Sequence, residues 1–252
     1  MKTGAQLYTV RDFCTNLDDF AQTLEKIAAI GYKTVQVSGV CAYEAGWLKE
    51  QLDKNGLECA VTHTAYDKFL NTPDKVALDH LAFGCKYAGI GSAPNEFANP
   101  QVDYDRFLAE MKPAAQTLKA HGVTFCYHNH QYEFNKLNGE KVIDKMTQDF
   151  SLDELSFILD TYWVQFSGGD PAEWIKKLKG RVQCVHLKDM QIINSTQKMA
   201  VIGEGNINFD SVLSACEASG TEYLLVEQDD CNGENPFDCL ERSYKYLKSI
   251  GL

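Results

Sequence analysis

The 252-residue chain is short of basic charge: 24 Lys and Arg stand against 35 Asp and Glu, a formal charge of −11. A protein that grips phosphates needs clustered cations to displace counterions. No such cluster is present, so nucleic acid is not an expected partner. Long apolar runs are also missing. None approaches the roughly 20 residues of a membrane span, and the opening MKTGAQLYTV has no apolar stretch behind its lysine. Neither a membrane partner nor a signal peptide is therefore expected, and the expected location is cytoplasmic. The nine cysteines include no CxxC pair, and their odd number suits reduced thiols better than a disulfide framework. Cys126 and Cys184, inside apolar strands, read as small buried hydrophobes. Glycine is absent from the first strand-to-helix turn, Tyr8 to Asn16, which removes the dinucleotide-binding fingerprint.

What is present is a strand-helix alternation repeated along the chain. Strands are expected at 2–10, 34–37, 58–63, 90–93, 123–130, 155–162, 182–188 and 223–228. The helices expected to follow them span 17–30, 43–54, 74–87, 103–121, 142–149, 171–179, 209–219 and 236–249. Asp170 before Pro171 is an N-cap and first-turn signature, and Pro113 is expected to kink the fourth helix. Eight such units with short connections predict an α/β fold of the (β/α)8 TIM barrel type, as one domain over residues 1–252. An open doubly wound sheet is the alternative.

The chemistry is expected where the apolar strands turn polar. A strand buried on both faces should be apolar throughout, yet Leu155–Trp163 (LSFILDTYW) carries Asp160, and Val182–Met190 (VQCVHLKDM) carries His186. Val123–His130 (VTFCYHNH) is followed by Glu133, and Glu222–Asp229 (EYLLVEQD) carries Glu227. In a parallel barrel all strand ends open on one face, where active sites are found. That face collects His63, Tyr127, His128, His130, Glu133, Asp160, Trp163, His186, Lys188, Glu227 and Asp229, including four of the six histidines. A mixed imidazole and carboxylate set suits one borderline or hard divalent ion, such as Mn²⁺, Mg²⁺, Co²⁺ or Zn²⁺, with Mn²⁺ favoured.

The motifs YHNHQYEF, LDTYW, HLKD and VEQD, with GEGNINF between the last two, resemble the xylose isomerase-like superfamily of sugar phosphate isomerases and epimerases. Ketose 3-epimerase, hydroxypyruvate isomerase, inosose dehydratase and, more distantly, endonuclease IV are its members. The resemblance implies a barrel holding one divalent ion through a Glu, an Asp, a His and a Glu from strands five to eight. Asp160, His186 and Glu227 match the last three. Strand five departs from the pattern, with Tyr127 and His128 where the Glu is expected; Glu133 is taken as the fourth ligand and His128 as its rival. A homodimer is common in that group.

The expected reaction is proton transfer next to the carbonyl of a small carbohydrate, either a keto sugar or a polyol. Isomerisation or epimerisation is the first expectation, with Glu133 and Glu227 as the acid–base pair and Lys188 hydrogen-bonding the oxygen that gains charge. The alternative on the same metal site is a dehydratase or keto-glycoside lyase, which needs only one base and one acid. An abasic-site endonuclease and a non-catalytic sugar-binding protein rank below both. His63, His128 and His130 are candidate substrate binders, Trp163 a candidate stacking platform, and Arg11 a candidate for an anionic group or a surface ion pair.

Overall fold

The computed structural model describes residues 1–252. Eight parallel strands close into a barrel: β1 Lys2–Gln6, β2 Thr34–Val37, β3 Glu58–His63, β4 Tyr87–Ile90, β5 Thr124–His128, β6 Leu155–Asp160, β7 Cys184–Leu187 and β8 Tyr223–Val226. β1 pairs with both β2 and β8, so no sheet edge is left open. Eight main helices surround it: α1 Leu17–Ile30, α2 Ala45–Asn55, α3 Pro73–Ala82, α4 Pro100–Ala120, α5 Val142–Asp149, α6 Pro171–Lys177, α7 Phe209–Ser219 and α8 Pro236–Ser249. None is long and apolar enough to cross a membrane. The barrel is the architecture that the eight repeats predict, and the open sheet is excluded by its closure.

Two apolar layers hold the fold, because each strand buries one face outward against helices and one inward. The larger cluster, with residues such as Phe20, Leu24, Phe107, Phe125 and Leu240, lies between strands and helices. A small one, including Cys126, Ile158, Cys184 and Leu225, fills the inside of the barrel. Side chains there need room, and two glycines provide it. A Cβ on Gly4 would lie 2.9 Å from the Leu225 side chain, and one on Gly89 2.9 Å from that of Ile158. Substitution at either would crowd the barrel from inside.

Several boundaries differ from the expected ones, each for a local reason. β1 ends at Gln6 rather than Val10, because the Gln6 side chain accepts a hydrogen bond from the Tyr8 amide and starts a 3-10 turn over Leu7–Phe13. The helix expected to reach Tyr87 stops at Ala82: the Cys85 amide bonds back to His80 O, the chain turns, and Tyr87 enters β4 opposite Thr124. β4 is thus 87–90, not 90–93. β6 ends at Asp160 instead of Tyr162, since its carboxylate caps a short helix over Thr161–Phe166 by accepting from the Trp163 amide. The connection after β7 contains an antiparallel hairpin, Asp189–Ile193 with Thr196–Ala200, that periodicity did not reveal. The Asp189 carboxylate secures this connection, accepting bonds from the amides of Met190, Gly203, Gly205 and Ile207.

Candidate metal centre and its cavity

Alternation with period two builds the site. Cys126, Ile158, Cys184 and Leu225 fill the barrel interior, and two residues further along each chain come His128, Asp160, His186 and Glu227. They form the next interior layer. All four are buried, and one ligand atom from each lies within 4.8 Å of the others. Gln6 and Gln36, fully buried, stand at the ends of β1 and β2 beside them.

Hydrogen bonds to the outer atoms orient this set. His128 Nδ1 donates to Gly91 O at 2.9 Å, which leaves the lone pair of Nε2 toward Asp160 Oδ2, 3.2 Å away. His186 Nε2 donates to Gln36 Oε1 at 2.6 Å, which turns Nδ1 toward Glu227 and Asp160. Gln6 Nε2 donates to Glu227 Oε1 at 3.1 Å. The backbone amide of Asp160 donates to Asn129 Oδ1. Partners of this kind fix the tautomer and direction of metal-binding side chains.

The chemistry of the donor set fits a divalent cation. His186 Nδ1 and Glu227 Oε2 are buried 2.8 Å apart, an imidazole nitrogen and a carboxylate oxygen aimed at one another as two ligands of one ion would be. Lys188 Nζ lies 3.0, 2.9 and 3.0 Å from Asp160, Glu227 and Asp229. With His186 neutral, three carboxylates around one ammonium leave two negative charges unmatched, the charge of one divalent ion.

The pKa directions follow from the same field. Burial resists the charge on Lys188, but the carboxylates of Asp160, Glu227 and Asp229 outweigh it and keep the ammonium protonated. Burial likewise opposes ionisation of Asp160 and Glu227, and Lys188 overrides it, holding both well below the usual carboxylate range. His186 is pushed up to about 8, because Glu227 and Asp160 more than offset its burial; the field that would hold a proton there also favours a cation. Burial lowers His63 and His128, and lowers His130 to about 3, so these rings are neutral. Burial and then the Glu227 charge raise Asp229 to about 6.

A cavity of about 290 Å³ opens on this layer, lined among others by Tyr8, Ser38, His63, His130, Lys188 and Asp229. His128 and Glu227 reach its wall. Among the sequence expectations, Asp160, His186 and Glu227 come together as one cluster, and His63, His128, His130 and Lys188 line or border the cavity.

Two residues are placed elsewhere. Glu133 is fully buried in a short turn behind β5, where its carboxylate accepts from the Tyr127 hydroxyl and from the His130 amide at 2.8 Å. It does not lie on the cavity or in the ligand cluster, whose strand-five member is His128. The expected pairing of Glu133 with Glu227 across a substrate is corrected accordingly. Trp163 packs against His130 at 5.4 Å and over Lys188 at 5.6 Å, behind the cavity wall instead of on it. Arg11 is occupied by the backbone oxygens of Tyr8 and Asp229. Sequence reasoning missed Gln6, Gln36 and Ser38. The first two carry the signal used for Asp160 and His186, a polar residue at the end of an apolar strand.

The chain resembles proteins of known name along nearly its whole length. It is 27% identical to the inosose dehydratase of Clostridium perfringens, an alignment covering 91% of this chain and 89% of that protein. In three dimensions it matches a sugar phosphate isomerase/epimerase from Parabacteroides distasonis with a TM-score of 0.82 at 23% identity, covering 99% and 94% of the two chains. A probable 3-DHS dehydratase from Bacillus anthracis gives a TM-score of 0.73 at 14% identity, covering 98% and 99%. The sequence model of one family matches residues 24–250. By that match, and by the closed barrel it shares, the chain belongs to the xylose isomerase-like TIM barrel family.

Proposed function

We propose that the protein is a divalent-metal-dependent enzyme that eliminates water or an alcohol β to the carbonyl of a keto-polyol or keto sugar. The observation that carries this reading is the buried quartet His128, Asp160, His186 and Glu227 under a polar cavity of about 290 Å³. A bound divalent ion there would supply Lewis-acid polarisation of the substrate carbonyl. The curated relative with 27% identity is a dehydratase, which supports elimination over the isomerase reading.

The residues of the chain divide the remaining work. His128, Asp160, His186 and Glu227 would hold the ion. Lys188, kept cationic by three carboxylates, donates a hydrogen bond to the oxygen that gains charge as the α C–H bond breaks. Asp229, part-exposed on the cavity wall, is the carboxylate free of the ligand set and takes the α proton. His63 and His130 hydrogen-bond substrate hydroxyls. Epimerisation would need a second acid on the opposite face to return the proton. With Glu133 spent on Tyr127 and His130, the pairing first expected for that role is missing.

The test is an assay with keto-inositol and Mn²⁺, following the conjugated carbonyl chromophore that elimination creates. Activity should vanish on chelation and return with Mn²⁺ or Co²⁺. Recovery of epimerised substrate without loss of water would refute the elimination reading.

A further inference from the structure

Three imidazole rings stand in a row on the wall of the metal-facing cavity. The centroids of His63 and His128 are 5.1 Å apart, and those of His128 and His130 are 4.6 Å apart. Each ring has its Nδ1 engaged by the protein, and the kind of partner differs. His128 Nδ1 meets the Gly91 carbonyl oxygen, which can only accept, so the ring hydrogen is on Nδ1 and the Nε2 lone pair is left for the ligand cluster. His63 Nδ1 instead meets the Ser38 hydroxyl at 3.0 Å, and His130 Nδ1 meets the Tyr132 hydroxyl at 3.0 Å.

A hydroxyl can give or take a hydrogen bond, and the surroundings decide which. Ser38 is 4% exposed and Tyr132 7%, and the imidazole nitrogen is the acceptor that each hydroxyl hydrogen has in the protein. Were the rings to donate instead, those hydrogens would be left without one. With the hydroxyls donating, His63 and His130 carry their hydrogen on Nε2. The His63 Nε2 is buried and has no partner in the protein. Along the row, two open N–H donors thus flank one lone pair. Gly91 serves the arrangement twice: its carbonyl orients His128, and a Cβ in its place would come within 3.2 Å of His63 Nδ1.

We propose that Ser38 and Tyr132 are positioning residues: by fixing the tautomers of His63 and His130 they set two N–H donors on either side of His128, and these donors select a polyol that offers an acceptor oxygen to each. This rests on the reading of the cavity as a keto-polyol site and deepens it. A neutral Nε2–H donates and has nothing with which to accept. It therefore takes a hydroxyl or ring oxygen whose own hydrogen turns elsewhere, and it disfavours a methylene in that place, which would leave a buried N–H unpaired.

The experiment reads the tautomers directly, from proton–nitrogen correlation spectra of the Mg²⁺-loaded protein with isotope-labelled histidine. His63 and His130 should carry hydrogen on Nε2 alone. Ser38→Ala and Tyr132→Phe, which delete only a hydroxyl, should each add an Nδ1–H population in the one ring concerned. Each should also weaken calorimetric binding of myo-inositol, a polyol without a ketone to react, by up to about tenfold, the worth of one hydrogen bond. In a His130→Ala background, Tyr132→Phe should cost nothing further, since it acts through that ring. Hydrogen on Nδ1 of either ring in the unaltered protein, or variants with unchanged tautomers and affinity, would overturn the assignment. Tautomers and affinities as stated, but no elimination from keto-inositol, would sink the elimination reading and leave the two donors standing.

Discussion

His186 Nδ1 and Glu227 Oε2 lie 2.8 Å apart in the barrel interior, both buried, with the Lys188 ammonium 2.9 Å from the same carboxylate oxygen. The imidazole has already given its other nitrogen to Gln36, and the carboxylate its other oxygen to Gln6. A proton on Nδ1, or a cation in its place, bridges the two, and the Lys188 ammonium beside Glu227 offsets only part of the negative charge. The pair therefore sets the first expectation. Glu227→Gln replaces one anionic ligand by a neutral one, and should leave the fold intact while turnover is lost and bound metal falls by tenfold or more, on the order of the losses seen when metal sites are perturbed. Metal content after dialysis, measured beside the melting curve, checks it; full loading with wild-type turnover would show that Glu227 is not a ligand.

The two strand-five candidates separate cleanly by substitution. His128→Ala should remove metal binding, whereas Glu133→Gln should retain it, because Glu133 bonds Tyr127 and His130 away from the cluster. Metal titration of both variants decides the matter, and the reverse result would restore Glu133 as ligand.

Glu133 also shapes the alkaline side of stability. Burial, against the hydrogen bonds it accepts, raises its carboxyl to about 8 from an ordinary value of 4.5. A group whose pKa is higher in the folded state binds more protons there, so stability is full below the unfolded value and declines as pH rises through 8. Urea melts at pH 6 and pH 9 should show a loss on the order of a few kcal/mol. Glu133→Gln, which cannot ionise, should flatten that slope; an unchanged slope would place its origin elsewhere.

His80 acts on the acid side. It is buried, donates through Nδ1 to Val76 O at 2.7 Å and accepts at Nε2 from the Thr62 hydroxyl at 2.8 Å, and burial lowers its pKa to about 4. Here the unfolded chain binds the extra proton, so stability is retained above pH 6.5 and lost as pH falls toward 4, by about 3 kcal/mol at most. His80→Gln should be less stable at neutral pH yet lose this dependence. Denaturant midpoints across pH 4 to 7 provide the measurement.

Asp189 tests the connection after β7. Its two oxygens accept four backbone amides, and Asn in its place would turn one oxygen into a donor facing donors. Asp189→Asn should cost about 2 to 3 kcal/mol and speed amide exchange at Gly203, Gly205 and Ile207. Unaltered exchange there would mean that the loop is held by other contacts.

The order of strands and helices, and the four strand ends at which polarity breaks into apolar runs, were legible in the residues alone. Both depend on local pattern: the helical period, the alternating strand, and the cost of burying a carboxylate or imidazole without a purpose. Asp160, His186 and Glu227 could be named on that basis. Which strand-five group joins them could not, because YHNHQYEF is apolar or polar in turn without marking which parity faces inward. Closure of the barrel sets that parity. It turns Cys126 and His128 to the interior and Tyr127 outward, so that Glu133, reached through the turn beyond, bonds Tyr127 on the far side of the strand. Gln6, Gln36, Ser38 and His63 likewise acquire their roles only when strands distant in sequence are brought side by side, since a hydrogen bond across the barrel depends on register and curvature that no local run of residues specifies.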